Sequence, residues 1–207
     1  AATASASGNQ IISLATCPLM HGTGMWIGAF IPHLMGGAVI TIAELGLDPE
    51  LMWQEVERNK ASFVVIVGDA FAKPLLNELN SAKEAGSTHD ISSVKAMMSS
   101  GVMWSSEVKQ GLLEHNDMML IDAMGSTEGS MGTSVASRGD ISKTAKFEMG
   151  ESVKVFNEDD KEVAPGSGEM GLIGAPGNIP IGYYKDPKKS AETFREIGGV
   201  RYSFPGD

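Results

Sequence analysis

Cysteine is almost missing from this chain: among 207 residues only Cys17 occurs. One cysteine excludes an internal disulfide framework and any cysteine-built zinc site, and it fits a reducing cytoplasm. Long apolar runs are missing too. A membrane-spanning helix needs about 20 consecutive apolar residues, whereas Met25–Met35 (MWIGAFIPHLM) is too short and carries Pro32 and His33. No transmembrane segment is expected. The first ten residues, AATASASGNQ, lack the basic stretch followed by an apolar one that a signal peptide requires. Basic residues are in deficit, 16 against 26 acidic ones, for a net charge of -10. That balance argues against a nucleic-acid partner or an acidic membrane surface. The four histidines are scattered, and there is no CxxC, no HExxH and no G-x-S-x-G around Ser126. Neither a metal cluster nor a serine triad is indicated.

The length suffices for one sizeable core or two small ones. Thirteen methionines suit an adaptable apolar core or pocket wall. Ile11–Ala15, Ala38–Ile42, Phe63–Val67, Val94–Met98 and Met118–Ala123 read as strands. Between them lie four helical stretches. Gly22–Met35 is apolar almost all round. Asp48-Pro49 caps a helix to about Asn59. Asp69–Ala85 is interrupted by Pro74, and Ser105/Ser106 open a helix to about His115. Strands alternating with helices imply a mostly parallel sheet flanked by helices. Near residue 145 the pattern becomes antiparallel hairpins: Ser152–Phe156, Lys161–Ala164 and Glu169–Ile173, then a short helix capped by Asp186-Pro187 and a strand at Val200–Ser203. The fold class is therefore α/β, with an α/β subdomain over 1–144 followed by a small antiparallel β subdomain over 145–207.

Ile121–Ser130, IDAMGSTEGS, is the stretch around which the rest is organised. An apolar strand stops abruptly at Asp122 and leads into small residues. In open α/β sheets ligands bind at that carboxyl edge. Gly125 and Gly129 permit close backbone approach. Ser126 and Thr127 can donate to phosphate oxygens, and Glu128 is a hard oxygen ligand suited to magnesium beside a nucleotide. The plain alternative is a strand followed by a polar loop. Pro18–Gly24, PLMHGTG, joins a strand to a helix; His21 is either a hydrogen-bonded loop histidine or a residue at a pocket mouth. The same region supports a rival, a dinucleotide fingerprint built on Gly22, Gly24 and Gly28 with Glu44 on a ribose. Its third glycine comes one residue late, and Pro18–His21 occupies the place where the strand should feed the turn. Gly166–Gly171 (GSGEMG) matches G-x-G-x-x-G but opens no helix.

Taken together and in this order, the pieces resemble the adenylate-forming enzymes: acyl-CoA synthetases, firefly luciferase and peptide-synthetase adenylation domains. PLMHGTG is similar to the family's P-L-F-H-x-x-G gate, and Ser99–Val102 (SSGV) to its adenine-contacting S-G-G-A segment. Met124–Glu128 (MGSTE) resembles Y-G-x-T-E. Gly168–Phe194 resembles the long G-E-x-G…GYY-x-(N/D)-P-x-x-(S/T)-A-x-x-F run, and Tyr202–Asp207 (YSFPGD) resembles W-x-x-T-G-D. The resemblance spans residues 11 to 207 and is strongest to fatty acyl-CoA synthetases.

The resemblance implies an ATP-dependent, AMP-forming acid–thiol ligase. It would join a small carboxylic acid, expected to be a fatty acid, to CoA through an acyl-adenylate. Thr127 would touch the α-phosphate and Glu128 would hold Mg2+. Gly101, Val102, Asp122, Ala123, Met124, Gly125 and Ser126 would line the AMP site, and Asp207 would accept both ribose hydroxyls. His21 would gate an acyl pocket that includes Gly22, Met25 and Trp26. The side chains of His21, Thr127, Glu128 and Asp207 are expected to face one cleft. Met124 stands where the family has tyrosine, and Pro205 where it has threonine. The family's phosphate loop ending in lysine and its C-terminal domain have no counterpart here. The chain therefore reads as the middle piece of a synthetase, nearly inactive by itself. The alternatives from other classes are a Rossmann-type NAD(P) oxidoreductase and a non-catalytic nucleotide-binding module.

Overall fold

The computed structural model describes residues 10–44, 46–141 and 147–206. They form two compact units, one within Ala1–Asp122 and Ser134–Lys146, the other within Ala123–Thr133 and Phe147–Asp207.

In the first unit, β1 (Ile12–Ala15) lies between β2 (Ala38–Ile40) and β3 (Phe63–Ile66), and β4 (Ala96–Ser100) follows β3. These pairings are parallel, with Ile12 opposite Ala38, Ser13 opposite Phe63 and Val64 opposite Met97. The next strand in the order is β5 (Met119–Ser126). The crossovers are α1 (Thr23–Phe30 with π-helical winding, then Ile31–Leu34 with α-helical winding), α2 (Pro49–Asn59), α3 (Gly68–Glu84) and α4 (Ser106–His115). Leu14, Val64, Ile66, Met97 and Leu120 from the strands pack with Trp53, Val56, Leu75, Leu79 and Leu112 from the helices. Each such side chain stabilises the fold by about 1.5–3 kcal/mol through the apolar area it removes from water. The buried Trp53 indole also donates to the Leu75 carbonyl at 2.9 Å.

The Asp-Pro capping signals act as expected, whereas Ser105 starts α4 without a side-chain cap bond. Asp48 accepts the Leu51 N–H at 3.1 Å, with Pro49 in the first turn. Pro74, expected to interrupt its helix, sits inside a continuous α3. The carbonyl it leaves without a partner belongs to Ala70, an exposed residue, so water can take the lost bond. Strand β4 starts two residues later than the apolar run Val94–Met98 indicates, because the Val94 N–H closes a turn on the Ile91 carbonyl at 3.0 Å. Glycine explains how α1 meets the sheet. A Cβ on Gly28 would lie 2.7 Å from the Ala15 Cβ, and one on Gly24 would lie 2.4 Å from the Pro18 carbonyl oxygen. The buried Ser13 hydroxyl donates to the Gly28 carbonyl at 2.8 Å. Gly28 thus packs α1 on β1 and Gly24 packs it on the loop that follows β1, which corrects the dinucleotide-fingerprint reading of this stretch.

The largest departure concerns IDAMGSTEGS. The strand does not stop at Asp122. It continues to Ser126, turns at Thr127-Glu128, and returns as β6 (Gly129–Ala136). Small residues of low strand propensity disguise this hairpin. The partner backbone comes so near that a Cβ on Gly125 would lie 3.3 Å from the Gly129 carbonyl oxygen.

The second unit holds the hairpin tip and β7 (Glu148–Met149), which pairs with β6 through Gly132 opposite Met149. It also contains an antiparallel sheet in the order β10-β11-β9-β8, made of β8 (Lys154–Phe156), β9 (Leu172–Pro176), β10 (Phe194–Ile197) and β11 (Val200–Ser203). Phe156 packs edge-on against Tyr202 at 4.9 Å and Phe204 at 5.6 Å to make a small aromatic core. The expected strand at Lys161–Ala164 reduces to a bridge between Phe156 and Glu162. Helix α5 (Pro187–Thr193) is capped by Asp186, which accepts the Lys189 N–H at 2.9 Å. Strand β10 was hidden in the sequence at the end of that helix. It is turned back onto β11 by Gly198 and Gly199 at φ 61° and 78°, the left-handed pair that tight hairpins favour.

Candidate functional site

Two parallel strands of the first unit, β1 and β4, flank β3 and place the first group of candidate residues at the same edge of the sheet. The chain leaving β1 reaches His21, and the chain leaving β4 reaches Gly101. Gly101 has φ 95°, and a Cβ there would stand 3.7 Å from His21 Cε1. The sheet therefore brings His21 and Gly101 together at its carboxyl edge, where ligands of open α/β sheets bind. His21 is exposed, and its Nδ1 accepts the Thr23 N–H at 3.2 Å. That bond satisfies one of the orphan donors at the start of α1 and leaves Nε2 as the outward nitrogen. Val102 and Gly22 are exposed and Met25 is half-buried. Trp26 is 51% exposed and meets Phe30 edge-on at 5.3 Å. Phe30, Ile31 and Leu34 of α1 are exposed as well, as is Met20 in the loop before it.

Asp122 has a different setting. Its side chain is buried and paired with the ammonium of Lys109, itself buried on α4. The Lys109 Nζ also sits 5.4 Å from the centre of the Trp104 ring. Burial pushes the Asp122 carboxyl above the usual carboxylate range, the Lys109 contact pulls it down, and the charge of Asp69 adds to the rise. The Asp122 carboxylate is thus engaged inside the unit. Asp69 is held by Ser105, whose N–H and hydroxyl lie 2.9 and 3.1 Å from Oδ1, and by Lys73 at 3.1 Å. The buried Ser99 hydroxyl accepts the Gly68 N–H at 2.8 Å. The loops after β3 and β4 are therefore tied together below Gly101.

In the second unit, Ala123, Met124, Gly125 and Ser126 form the rising arm of the hairpin tip. Thr127 is exposed at the turn, beside a half-buried Glu128. The Glu128 N–H donates to the Ser126 hydroxyl at 3.2 Å. The Tyr183 hydroxyl donates to Glu128 Oε1 at 2.6 Å. That bond, aided by Ser126 and by the charge of Lys189, outweighs burial and holds the Glu128 carboxyl below its usual range. The same carboxylate pushes the Tyr183 phenol upward. Tyr183 is a functional candidate that the motif arithmetic missed, although it lies in the GYY segment. Asp207 lies outside the described residues.

Among the described residues, no group of three or more His, Cys, Asp or Glu could cage a metal. Glu128 suits a cation of another kind: magnesium often takes one or two carboxylates and completes its shell with substrate phosphates and water. With Oε1 engaged by Tyr183, Oε2 is the oxygen left for a metal. The donor chemistry fits. No helix among the described residues is long and apolar enough to cross a membrane.

A family model described as AMP-binding enzyme matches residues 2–184. A medium/long-chain-fatty-acid–CoA/3-oxocholest-4-en-26-oate–CoA ligase of Mycolicibacterium smegmatis is 38% identical over 92% of this chain. A 3-oxocholest-4-en-26-oate–CoA ligase of Rhodococcus rhodochrous is 36% identical over 92% of it. The chain spans 34% of the length of each of these two relatives. Among solved structures, a long-chain-fatty-acid–CoA ligase of Archaeoglobus fulgidus superposes with a TM-score of 0.76 at 20% identity, covering 99% of this chain and 42% of that one. An adenylation domain of Vibrio cholerae in complex with glycyl-adenosine-5'-phosphate gives 0.74 at 14% identity, covering 96% and 38%. At these identities the two structures testify to the fold.

Proposed function

The chain belongs to the AMP-binding enzyme family, and from that premise we propose that it forms part of an ATP-dependent, AMP-forming acyl-CoA ligase for medium- to long-chain fatty acids or steroid side-chain acids. The observation that carries this reading is the 38% identity to a ligase with that printed activity, sustained over 92% of the chain. In the proposed reaction a carboxylate attacks the α-phosphate of ATP and pyrophosphate leaves. The CoA thiol then attacks the acyl carbon and AMP leaves. No protein nucleophile is required; orientation and charge neutralisation lower the barrier. The scattered histidines and the absence of a serine elbow are consistent with that.

Within this scheme Thr127, exposed at the hairpin turn, donates its hydroxyl to the α-phosphate. Ser126 and the backbone of Gly101, Val102 and 122–125 border the nucleotide. Glu128 would hold Mg2+, whose charge would neutralise the phosphates. Asp207 accepts the ribose hydroxyls. His21, with Gly22, Met25 and Trp26, guards the entry of the acyl group. The exposed apolar residues of α1 support an apolar acid over a charged one. The single buried cysteine supports a reducing, cytoplasmic setting.

The test is an assay of the full-length protein with ATP, CoA and a series of acids. The series runs from octanoate to palmitate and includes a 3-oxo-steroid side-chain acid. AMP and pyrophosphate should appear in step with acyl-CoA, and Thr127→Ala and Glu128→Ala should each lower kcat/KM by about 10²-fold. Release of ADP, or AMP formation that no acid stimulates, would overturn the proposal.

A further inference from the structure

Resting on the reading of Glu128 as the magnesium ligand, we propose that Tyr183 is a positioning residue that aims this carboxylate at the metal. Glu128 occupies a two-residue turn, where its backbone is held through the Ser126 hydroxyl. Free rotation of a glutamate is costly to freeze, up to about 2 kcal/mol of side-chain entropy. The Tyr183 hydroxyl at 2.6 Å fixes Oε1, so the carboxylate is already oriented before a cation arrives. Tyr183 is itself rigidly held. Its N–H donates to the Ser190 hydroxyl at 2.7 Å, its ring lies 5.4 Å from the Phe194 ring, and Lys189 Nζ covers its face at 4.8 Å. Ser190 in turn donates to the Asp186 carbonyl at 2.6 Å. The chain Asp186–Ser190–Tyr183–Glu128 thereby links the first turn of α5 to the hairpin tip within one compact unit. This gives the GYY…S segment a task that its motif alone does not state. Glu128 would hold the cation by its other carboxylate oxygen, with water and substrate phosphates completing the shell.

Tyr183→Phe keeps the ring, its contact with Phe194 and the Lys189 cover, and removes only the hydroxyl. In the full-length protein with ATP present, electron paramagnetic resonance titration with Mn2+ should show the metal Kd rising about 10-fold in this variant. ATP affinity without metal should stay unchanged. In steady state the KM for Mg2+ should rise in parallel, while kcat at saturating Mg2+ stays within about 2-fold, the signature of lost ground-state positioning. Glu128→Gln is measured alongside. If Glu128→Gln weakens Mn2+ and Tyr183→Phe does not, or binds it more tightly, the positioning role is overturned while Glu128 remains the ligand. If neither variant changes Mn2+ affinity, the metal role of Glu128 falls, and the proposal with it.

Discussion

Lys109→Met is the most informative single perturbation of the first unit. Lys109 and Asp122 are 5% and 6% exposed, and their charged groups are in direct contact. Methionine fills nearly the same volume but leaves the carboxylate of Asp122 unpaired beneath the sheet. Removing one partner of a buried pair typically costs about 3–5 kcal/mol, and losing the ammonium over Trp104 adds about 1 kcal/mol. Replacing both groups by apolar ones, Lys109→Met with Asp122→Leu, removes the orphan charge and should return stability to within about 1–2 kcal/mol of the parent. Urea denaturation of the parent, the two single variants and the double variant gives the full cycle. The pH dependence is an internal check. In Lys109→Met the folded-state pKa of Asp122 rises further above its ordinary value. Protonation then favours the folded state, a contribution present below the ordinary value and lost as pH rises through the raised one. The deficit of the variant should therefore be largest at neutral pH and shrink as pH falls toward about 4. A deficit under about 1 kcal/mol, or one that ignores pH, would refute the claim that an uncompensated buried charge is the cause.

Two further perturbations follow from the same contacts. Asp69→Asn should lose about 1–2 kcal/mol at neutral pH, because the carboxylate collects two bonds from Ser105 and the Lys73 ammonium. Burial raises the Asp69 carboxyl and those bonds more than offset it, so its contribution exists above the ordinary value of 3.8 and is lost as pH falls through the depressed one. The gap between parent and variant, followed by denaturant midpoint against pH, should close in acid. Gly28→Ala introduces a methyl 2.7 Å from the Ala15 Cβ and should cost about 1–3 kcal/mol by overpacking. Thermal melting reads it, and an unchanged Tm would show that α1 does not depend on this close approach.

Much of the fold was legible because apolar periodicity and caps are local. Phe63–Ile66 is β-branched and buried on both faces, and it reads as an inner parallel strand from its composition alone. Asp48-Pro49 and Asp186-Pro187 mark helix starts because a carboxylate and a proline each satisfy a requirement of the first turn. What was not legible depends on a partner strand. Ala123–Ser126 carries no strand propensity and is extended because Gly129–Ala136 pairs with it. Likewise Phe194–Ile197 is a strand because Gly198 and Gly199 fold it onto Val200–Ser203. Gly24 and Gly28 looked like a phosphate turn, since a glycine needed for packing and one needed for a ligand are the same letter. The tertiary contact decides which it is.

The candidate site divides along the same line, but one of its hidden contacts did leave a trace. Motif position singles out His21, Thr127 and Glu128 as candidates, whereas the contact of Glu128 with Tyr183 joins residues 55 positions apart, and no local rule predicts it. Lys109 and Asp122 are separated in the chain as well, yet each breaks the pattern of its own element. Val108, Leu112 and Leu113 define the buried face of α4, and Lys109, one turn before Leu113, lies on that face where an apolar residue belongs. Asp122 interrupts an otherwise apolar strand start immediately after Leu120 and Ile121. A buried cation without an anion, or the reverse, is too costly to persist. Two opposite violations on adjacent buried elements therefore imply each other. Applied to the sequence, that argument places Asp122 in the interior, paired with Lys109.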